Sequence, residues 1–341
     1  MKPYDSVSLI KFAKRILLVF LMVWLIPVMA YQSQDQFTDA ILLSKEVRAG
    51  FTEYDYAPSF AAESLIIPLK RAGRLFMVEA RIDNITGNLI FDTGATGLVL
   101  NRTYFRDYLI HEEGAASGIT GSVSKSGWTT VGNLDISGMT YKKIRADVAE
   151  LSHIENRRGI KVLGLLGFGM ISDFEIIIDL RKSQLELHRT DNNGNRSSKT
   201  LTDFKPEFVQ QLQYNRNVVI LQGKVAGKTL SFCLDTGAET NAISSSSSGK
   251  VLNTITVKRR SGLTGAGASG AEVIYGMMND FTLNDNQIPG MDVVITNLDD
   301  LTEAYGTNID GMLGYSFLNK GVIMINLQKK QFGMTFTKIT E

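Results

Sequence analysis

Cysteine, histidine, proline and net charge are all scarce in this sequence. The single cysteine, Cys233, cannot form a disulfide within the chain, and its apolar neighbours in LSFCLDTG predict a small buried side chain. The three histidines, His111, His153 and His188, stand far apart without the spacing of metal ligands, so no metal site is expected. The formal net charge of +1 provides no broad attraction to nucleic acid or to anionic lipid.

The N-terminus carries the features of an export signal. Its apolar stretch, residues 16–30, is broken by Pro27 and is shorter than the about 20 residues that a membrane-spanning helix needs. Small residues, Val28 and Ala30, stand where a signal peptidase would cut. Four basic residues precede the stretch: Lys2, Lys11, Lys14 and Arg15. Residues 1–30 are predicted to be a signal peptide or an uncleaved membrane anchor. In both cases the rest of the chain is expected to be exported, either periplasmic or secreted.

An internal repeat divides the chain. FDTGATGLVLN (91–101) returns as LDTGAETNAIS (234–244), SGITGS (117–122) returns as SGLTGA (261–266), and LGLLGFGMISDFEIIIDLRKSQLEL (163–187) returns as DGMLGYSFLNKGVIMINLQKKQFGM (310–334). Three landmarks in the same order, at nearly the same spacing, indicate a duplication with one Asp-Thr-Gly-Ala in each half.

The repeat sets the predicted domain boundaries. The halves are residues 63–188 and 214–341, and the polar segment 189–213 is predicted to be a linker. Residues 31–62 precede the repeat and are either an extension packed on the core or a pro-segment that blocks a cleft. The length of 341 residues allows two domains.

Short apolar runs such as NLIFDTG and EIIIDL, separated by Gly, Asn, Asp and Ser, are typical of strands and turns. Long amphipathic helical patterns are scarce after residue 62. The sequence therefore predicts a mostly β protein of two similar lobes.

Asp92 and Asp235 close apolar runs, where burying a carboxylate costs several kcal/mol unless something compensates. Two such loops, brought together about a pseudo-twofold axis, would hold both carboxyls in one site. Like charges a few Å apart cannot both ionise cheaply, so the pair would share one proton. One acid could then activate a water as a base while the other polarises a carbonyl.

The neighbouring residues suit such a site. Gly94 and Gly237 permit tight turns that bring N–H groups near the carboxylates. The hydroxyls of Thr93 and Thr236 can bond across to the opposite loop and fix the separation of the acids.

The duplicated DTGA, the paired SGITG and SGLTG stretches, and the LLG and MLG signatures resemble the aspartic proteases of the pepsin and retropepsin type. The resemblance spans about residues 63–337. It implies an all-β, bilobal acid-protease (retropepsin-like) fold, with two duplicated β-barrel-like lobes and the cleft between them. It also implies an aspartic endopeptidase that hydrolyses peptide bonds with a water activated between two carboxyls, and that needs no cofactor.

The resemblance assigns roles to residues of this chain. Asp92 and Asp235 take the catalytic positions. The support of the catalytic loops falls to Thr93, Gly94, Thr236 and Gly237, and to the elements Leu165-Leu166-Gly167 and Met312-Leu313-Gly314 that cross behind them. The substrate flaps are expected to contain Gly118, Ile119, Thr120, Gly121, Gly262, Leu263, Thr264 and Gly265.

The expected partner is a polypeptide bound in extended form, and no nucleic acid is expected. The chain is expected to act as a monomer because both halves are present; pairing of lobes between two chains is the alternative. Ala95 and Ala238 stand where many pepsins have a hydroxyl residue. The loss of that hydrogen bond predicts an optimum at mildly acidic to near-neutral pH. A catalytically silent module that binds extended peptides is the alternative function.

Two further motifs receive plainer interpretations. GAGASG at 265–270 matches a dinucleotide-binding pattern, but it lacks the strand before and the helix after it, so a glycine-rich flap tip is predicted. The basic cluster Lys258-Arg259-Arg260 is interpreted as a solvated strand face; alternatively, it favours acidic groups in the substrate.

Overall fold

The computed structural model describes residues 58–112, 127–151, 154–155, 159–196, 204–215, 218–262, 272–288 and 290–337. The predicted signal segment, residues 1–30, lies outside these ranges, as does most of the extension at 31–62. In the described part of the chain, no helix is both long and apolar enough to cross a membrane.

The first half is built from strands and one 3-10 helix, Phe168–Ile171. Its strands are β1 (Ser64–Ala72), β2 (Leu75–Ile82), β3 (Ile85–Asp92), β4 (Leu98–Asn101), β5 (His111–Glu112), β6 (Gly127–Ile136), β7 (Met139–Ala149), β8 (Val162–Gly167), β9 (Phe174–Asp179) and β10 (Gln184–Arg189).

The second half has the strands β11 (Phe208–Gln211), β12 (Gln213–Asn215), β13 (Val218–Val225), β14 (Lys228–Leu234), β15 (Asn241–Ser244), β16 (Ile255–Gly262), β17 (Glu272–Met278), β18 (Thr282–Leu283), β19 (Asn286–Gln287), β20 (Met291–Thr296), β21 (Gly311–Leu313), β22 (Gly321–Asn326) and β23 (Gln331–Phe336). Its short helices are α1 (Gly249–Leu252), α2 (Asp299–Tyr305) and α3 (Tyr315–Leu318).

The described strands form two sheets. The 13-stranded sheet has the order β11-β23-β22-β9-β10-β1-β2-β3-β8-β4-β7-β6-β5. The 10-stranded sheet has the order β16-β17-β20-β15-β21-β14-β13-β18-β19, with β12 paired to β13. The prediction of a mostly β fold with two similar lobes is confirmed.

The duplication reappears in the strand pairing. β3 runs parallel to β8, which runs antiparallel to β4, which runs parallel to β7. In the second lobe β14, β21, β15 and β20 repeat this path with the same directions. All six residues of β8, VLGLLG, are buried. A strand buried on both faces needs a continuous apolar run rather than an alternating one, and the repeated LLG and MLG segments supply it.

The two lobes meet in a shared sheet, in which β22 pairs antiparallel with β9. Ile178 lies opposite Ile323 and Ile176 lies opposite Ile325, and all four side chains are buried. β-branched residues pack well at such positions. This pairing makes the sheet continuous from β1 to β11 and joins the two lobes.

The other face of the shared sheet buries polar groups. Asn326 Nδ2 donates to Glu175 Oε2 (2.7 Å), and Arg196 pairs with the same carboxylate. His188 is fully buried, with its Nε2 3.3 Å from Glu186 Oε2. Burial lowers the pKa of His188, since the charged imidazolium loses its hydration there.

Two segments differ from simple connections. Phe208–Gln211 (β11) and Gln213–Asn215 (β12) fall within the predicted linker, yet β11 pairs with β23 and β12 pairs with β13. Their short alternating pattern is hidden among polar neighbours, and edge strands need only one partner. At the end of the N-terminal extension, Phe60 packs on Phe174 with 5.6 Å between ring centroids. These last residues of the extension are therefore part of the first lobe's surface.

Candidate active site

Each Asp-Thr-Gly loop begins where a central strand ends. β3 ends at Asp92, opposite Gly167 of β8, and β14 ends at Leu234, opposite Leu313 of β21. The next residue, Asp235, donates its N–H to Leu313 O (3.0 Å). Both aspartates are buried, with 0% of Asp92 and 1% of Asp235 exposed. Two acids held at this depth need neighbours that compensate for lost water.

The first compensation comes from within each loop. Gly94 N donates to Asp92 Oδ1 at 2.8 Å, and Gly237 N donates to Asp235 Oδ1 at the same distance. The turns close with bonds to the aspartate carbonyls from Ala95 N (3.2 Å) and from the corresponding alanine N–H of the second loop (3.4 Å). A backbone N–H aimed at a carboxylate oxygen is a charge-assisted bond that holds the side chain in one orientation.

The two loops are bonded to each other through their threonines. Thr93 Oγ1 donates to Leu234 O (2.9 Å) and accepts from Thr236 N (3.0 Å). In the mirror arrangement, Thr236 Oγ1 donates to Phe91 O (2.8 Å) and accepts from Thr93 N (2.9 Å). Four buried hydrogen bonds thus join residues about 143 positions apart, as the duplication predicted. They fix the distance between the loops.

The carboxyl group of one loop lies against the glycine of the other. A Cβ placed on Gly237 would be 2.8 Å from Asp92 Cγ and 2.9 and 3.0 Å from its two oxygens. Real Cβ atoms do not approach other atoms this closely, so only glycine leaves room for the Asp92 carboxyl. Gly237 N also donates to Asp235 Oδ1, so one glycine lies against the first carboxyl group and is hydrogen-bonded to the second.

The LLG and MLG elements support the loops from behind. Phe168 N donates to Ala95 O and Tyr315 N donates to Ala238 O, both at 2.9 Å. Side chains are excluded at the glycines of these elements. A Cβ on Gly167 would lie 2.4 Å from Gly97 O, and one on Gly314 would lie 2.6 Å from Ala238 O.

Sequence reasoning missed other supporting residues. Asn241 is fully buried, and its Oδ1 accepts from Gly314 N (2.9 Å), which ties β15 to the MLG element. Glu239, four residues after Asp235, is also buried, and its carbonyl accepts from Arg74 Nη1 (3.3 Å) of the first lobe. A second acid in DTGAET could have drawn attention to Glu239, whereas nothing in the sequence announces the contact with Arg74.

The predicted flaps lie largely outside the described residues. This holds for Gly118–Gly121 and for residues 263–265, while Gly262 is the last residue of β16. The strands on either side pair antiparallel up to these gaps, with Glu112 opposite Gly127 and Gly262 opposite Glu272. The flap roles remain predictions, as do the catalytic roles of the two aspartates.

Within the described residues, no group of three or more His, Cys, Asp or Glu side chains is placed to hold a metal ion. Cys233 is buried in β14, as its apolar neighbours predicted.

A protein-family model described as aspartyl protease matches residues 78–169 and 221–317, more than half of the chain. Among solved structures, the chain is similar to the aspartic proteinase from Irpex lacteus, with a TM-score of 0.47 and 12% identity over 81% of this chain and 98% of that one. It is also similar to a protein named edgp, with a TM-score of 0.46 and 12% identity over 82% and 96% of the two chains.

No curated protein sequence matches the chain. Each segment matched by the family model contains one Asp-Thr-Gly-Ala loop together with the glycine element behind it. The chain belongs to the aspartyl protease family.

Proposed function

We propose that the protein is an aspartic endopeptidase in which Asp92 and Asp235 act together on one water molecule. The observation that carries the proposal is the exchange of four buried hydrogen bonds between Thr93 and Thr236 and the opposite loops. These bonds hold two buried carboxyls in one site. Because burying ionisable groups costs free energy, such a site is expected where the paired acids have a function.

The proposed reaction follows from the shared site. Two carboxyls in one buried site are expected to hold one proton between them, because ionising both would place like charges side by side. The ionised member takes a proton from the water, which attacks the peptide carbonyl carbon, while the protonated member donates to the carbonyl oxygen. Collapse of the tetrahedral intermediate, with a proton passed to the amide nitrogen, breaks the peptide bond.

We propose that the substrate is a polypeptide in extended form, lying between the lobes. The antiparallel pairs β5–β6 and β16–β17 lead to the predicted flaps, and an extended peptide can pair with such strands through its backbone. Apolar side chains on either side of the cut are expected, since clefts of this kind are mostly apolar.

A peptide-library digestion at several pH values, read by mass spectrometry, tests the proposal. The purified protein should cleave peptides, and Asp92→Asn and Asp235→Asn should each abolish cleavage. Asp285→Asn is the matched control, because Asp285 is 88% exposed in a surface ion pair with Lys224. Peptide binding without turnover by the unaltered protein would instead support the silent binding module.

We also propose that the protein is exported and acts as a monomer. The N-terminal sequence supports export, and the presence of both loops in one chain supports a monomeric site. Cell fractionation with N-terminal sequencing of the mature protein tests export. Activity that stays proportional to concentration down to the nanomolar range tests the monomer.

A further inference from the structure

We propose that Arg74 of the first lobe is a positioning residue for the second lobe's half of the active site, acting through Asp292. This inference rests on the proposed peptidase function. Arg74 immediately precedes β2. Its Nη1 donates to Glu239 O (3.3 Å) and its Nη2 to Asp292 Oδ2 (3.4 Å), so one guanidinium crosses the interface between the lobes twice.

Two stacked aromatic rings, those of Tyr315 and Phe76, hold this guanidinium in place. Arg74 lies over the ring of Tyr315, 5.4 Å from its centroid, and Tyr315 stacks on Phe76 with 5.7 Å between centroids. The Tyr315 hydroxyl accepts from Arg71 Nη2 (2.7 Å). Since Tyr315 N also donates to Ala238 O, this stack of rings is attached directly to the second catalytic loop. A planar guanidinium both stacks and donates in fixed directions, which a lysine could not do.

Asp292 extends the contact to the strand that enters the second predicted flap. Its Oδ1 accepts from Lys258 Nζ (3.0 Å) of β16, and its carbonyl accepts from Thr240 Oγ1 (3.3 Å). The side chains of Arg74 and Asp292 are 24% and 19% exposed, so the ion pair is partly shielded from water. Asp292 therefore connects three parts of the molecule: its carboxylate contacts Arg74 of the first lobe and Lys258 of β16, and its main-chain carbonyl contacts Thr240 of the second catalytic loop.

The contact is one-sided, although the fold is duplicated. Leu98 and Asn241 are each the sixth residue after their catalytic-loop Asp, and they lie opposite Ala146 and Val293 in equivalent parallel pairs. The residues before these two are Arg145 and Asp292, so the first lobe has a cation where the second has the acid.

The position equivalent to Arg74 in the second lobe is not occupied by a basic residue. Arg74 is the residue before β2, and the residue before the equivalent strand β13 is Asn217. Arg145 instead lies over the ring of Trp128, 4.3 Å from its centroid. The ion pair between Arg74 and Asp292 therefore links the second lobe to the first, and the residues at the two equivalent positions, Asn217 and Arg145, are not an acid and a base that could repeat it.

Kinetics with a charge exchange test the proposal. Arg74→Gln and Asp292→Asn should each lower kcat on the order of 10-fold with a smaller change in KM, because a misplaced catalytic loop loses alignment rather than binding. The double variant Arg74→Asp with Asp292→Arg should be more active than either of its own single variants, Arg74→Asp and Asp292→Arg, because it restores an opposite-charge pair between these two positions. Lys70→Gln, which removes an exposed ion pair with Glu79 from the neighbouring strand β1, should change nothing. A double variant no more active than Arg74→Asp alone and Asp292→Arg alone would overturn the proposal.

Amide hydrogen exchange tests whether Arg74 positions the second lobe, and it does not depend on catalytic turnover. In Arg74→Gln, amides of residues 235–241 and 255–260 should exchange faster, and amides of residues 92–98 should not. Unchanged exchange in the second lobe, or equal acceleration in both catalytic loops, would show that Arg74 does not position the second lobe. If the unaltered protein cuts no peptide, the proposed function fails, and this measurement alone decides on Arg74.

Discussion

Replacing Thr93 by valine should separate the two acidic loops while leaving the shape of the side chain intact. The hydroxyl of Thr93 donates to Leu234 O and accepts from Thr236 N, and all three residues are buried. Valine removes both bonds and leaves a carbonyl and an N–H without this partner. A buried polar group deprived of its hydrogen bond costs about 1–3 kcal/mol, so the two together cost about 2–6 kcal/mol. That is a large part of a typical stability of about 5–15 kcal/mol.

Serine is the matched replacement because it keeps the hydroxyl and loses one methyl group. Thr93→Ser should cost about 1 kcal/mol, the value of one buried methyl. Urea unfolding and peptide cleavage should be measured for both variants. We expect Thr93→Val to lose most of its stability or activity and Thr93→Ser to stay close to the unaltered protein. Equal damage in the two variants would mean that packing, and not the hydroxyl, joins the loops.

Two further predictions concern other parts of the molecule. Gly237→Ala should lower kcat/KM by about 10–10²-fold, since the new Cβ would displace the Asp92 carboxyl; Gly249→Ala, where a Cβ meets nothing within 4 Å, should leave it unchanged. Acidification should destabilise the protein through His188: its pKa is lowered in the folded state, so below the unfolded value of 6.5 the unfolded chain binds more protons. The free energy of unfolding should therefore fall from about pH 6.5 downward, by at most ~1.4 kcal/mol per pH unit; a His188→Gln variant with an undiminished slope in urea unfolding would refute this.

The duplicated loops could be predicted from sequence because their determinants are local. A few consecutive residues, FDTGA and LDTGA, determine the tight turn, the buried acid and the end of the apolar strand before it. The glycine elements at Gly167 and Gly314 could be placed too, because LLG and MLG recur in the repeat and match the family's pattern. The structure supplies the physical reason, since a side chain at either position would collide with the loop in front of it. Because each of these motifs occurs once in each half, the two copies support the same prediction.

Contacts between the lobes could not be predicted in the same way. Arg74 and Asp292 are 218 residues apart in the sequence, and their ion pair depends on how the two lobes pack against each other. β11 was missed for a related reason: FVQQ is too short and too polar to indicate a strand until β23 offers it an edge. Such features depend on tertiary placement and not on local propensity.

The central claim is that Asp92 and Asp235 work as one unit. The most direct measurement is kcat/KM for Asp92→Asn, Asp235→Asn and the double variant, on one peptide substrate. Residues that act as a unit are strongly non-additive, so each single variant should fall to the same residual rate as the double one. A single variant that keeps substantial activity, or losses that add up in the double variant, would contradict the shared site.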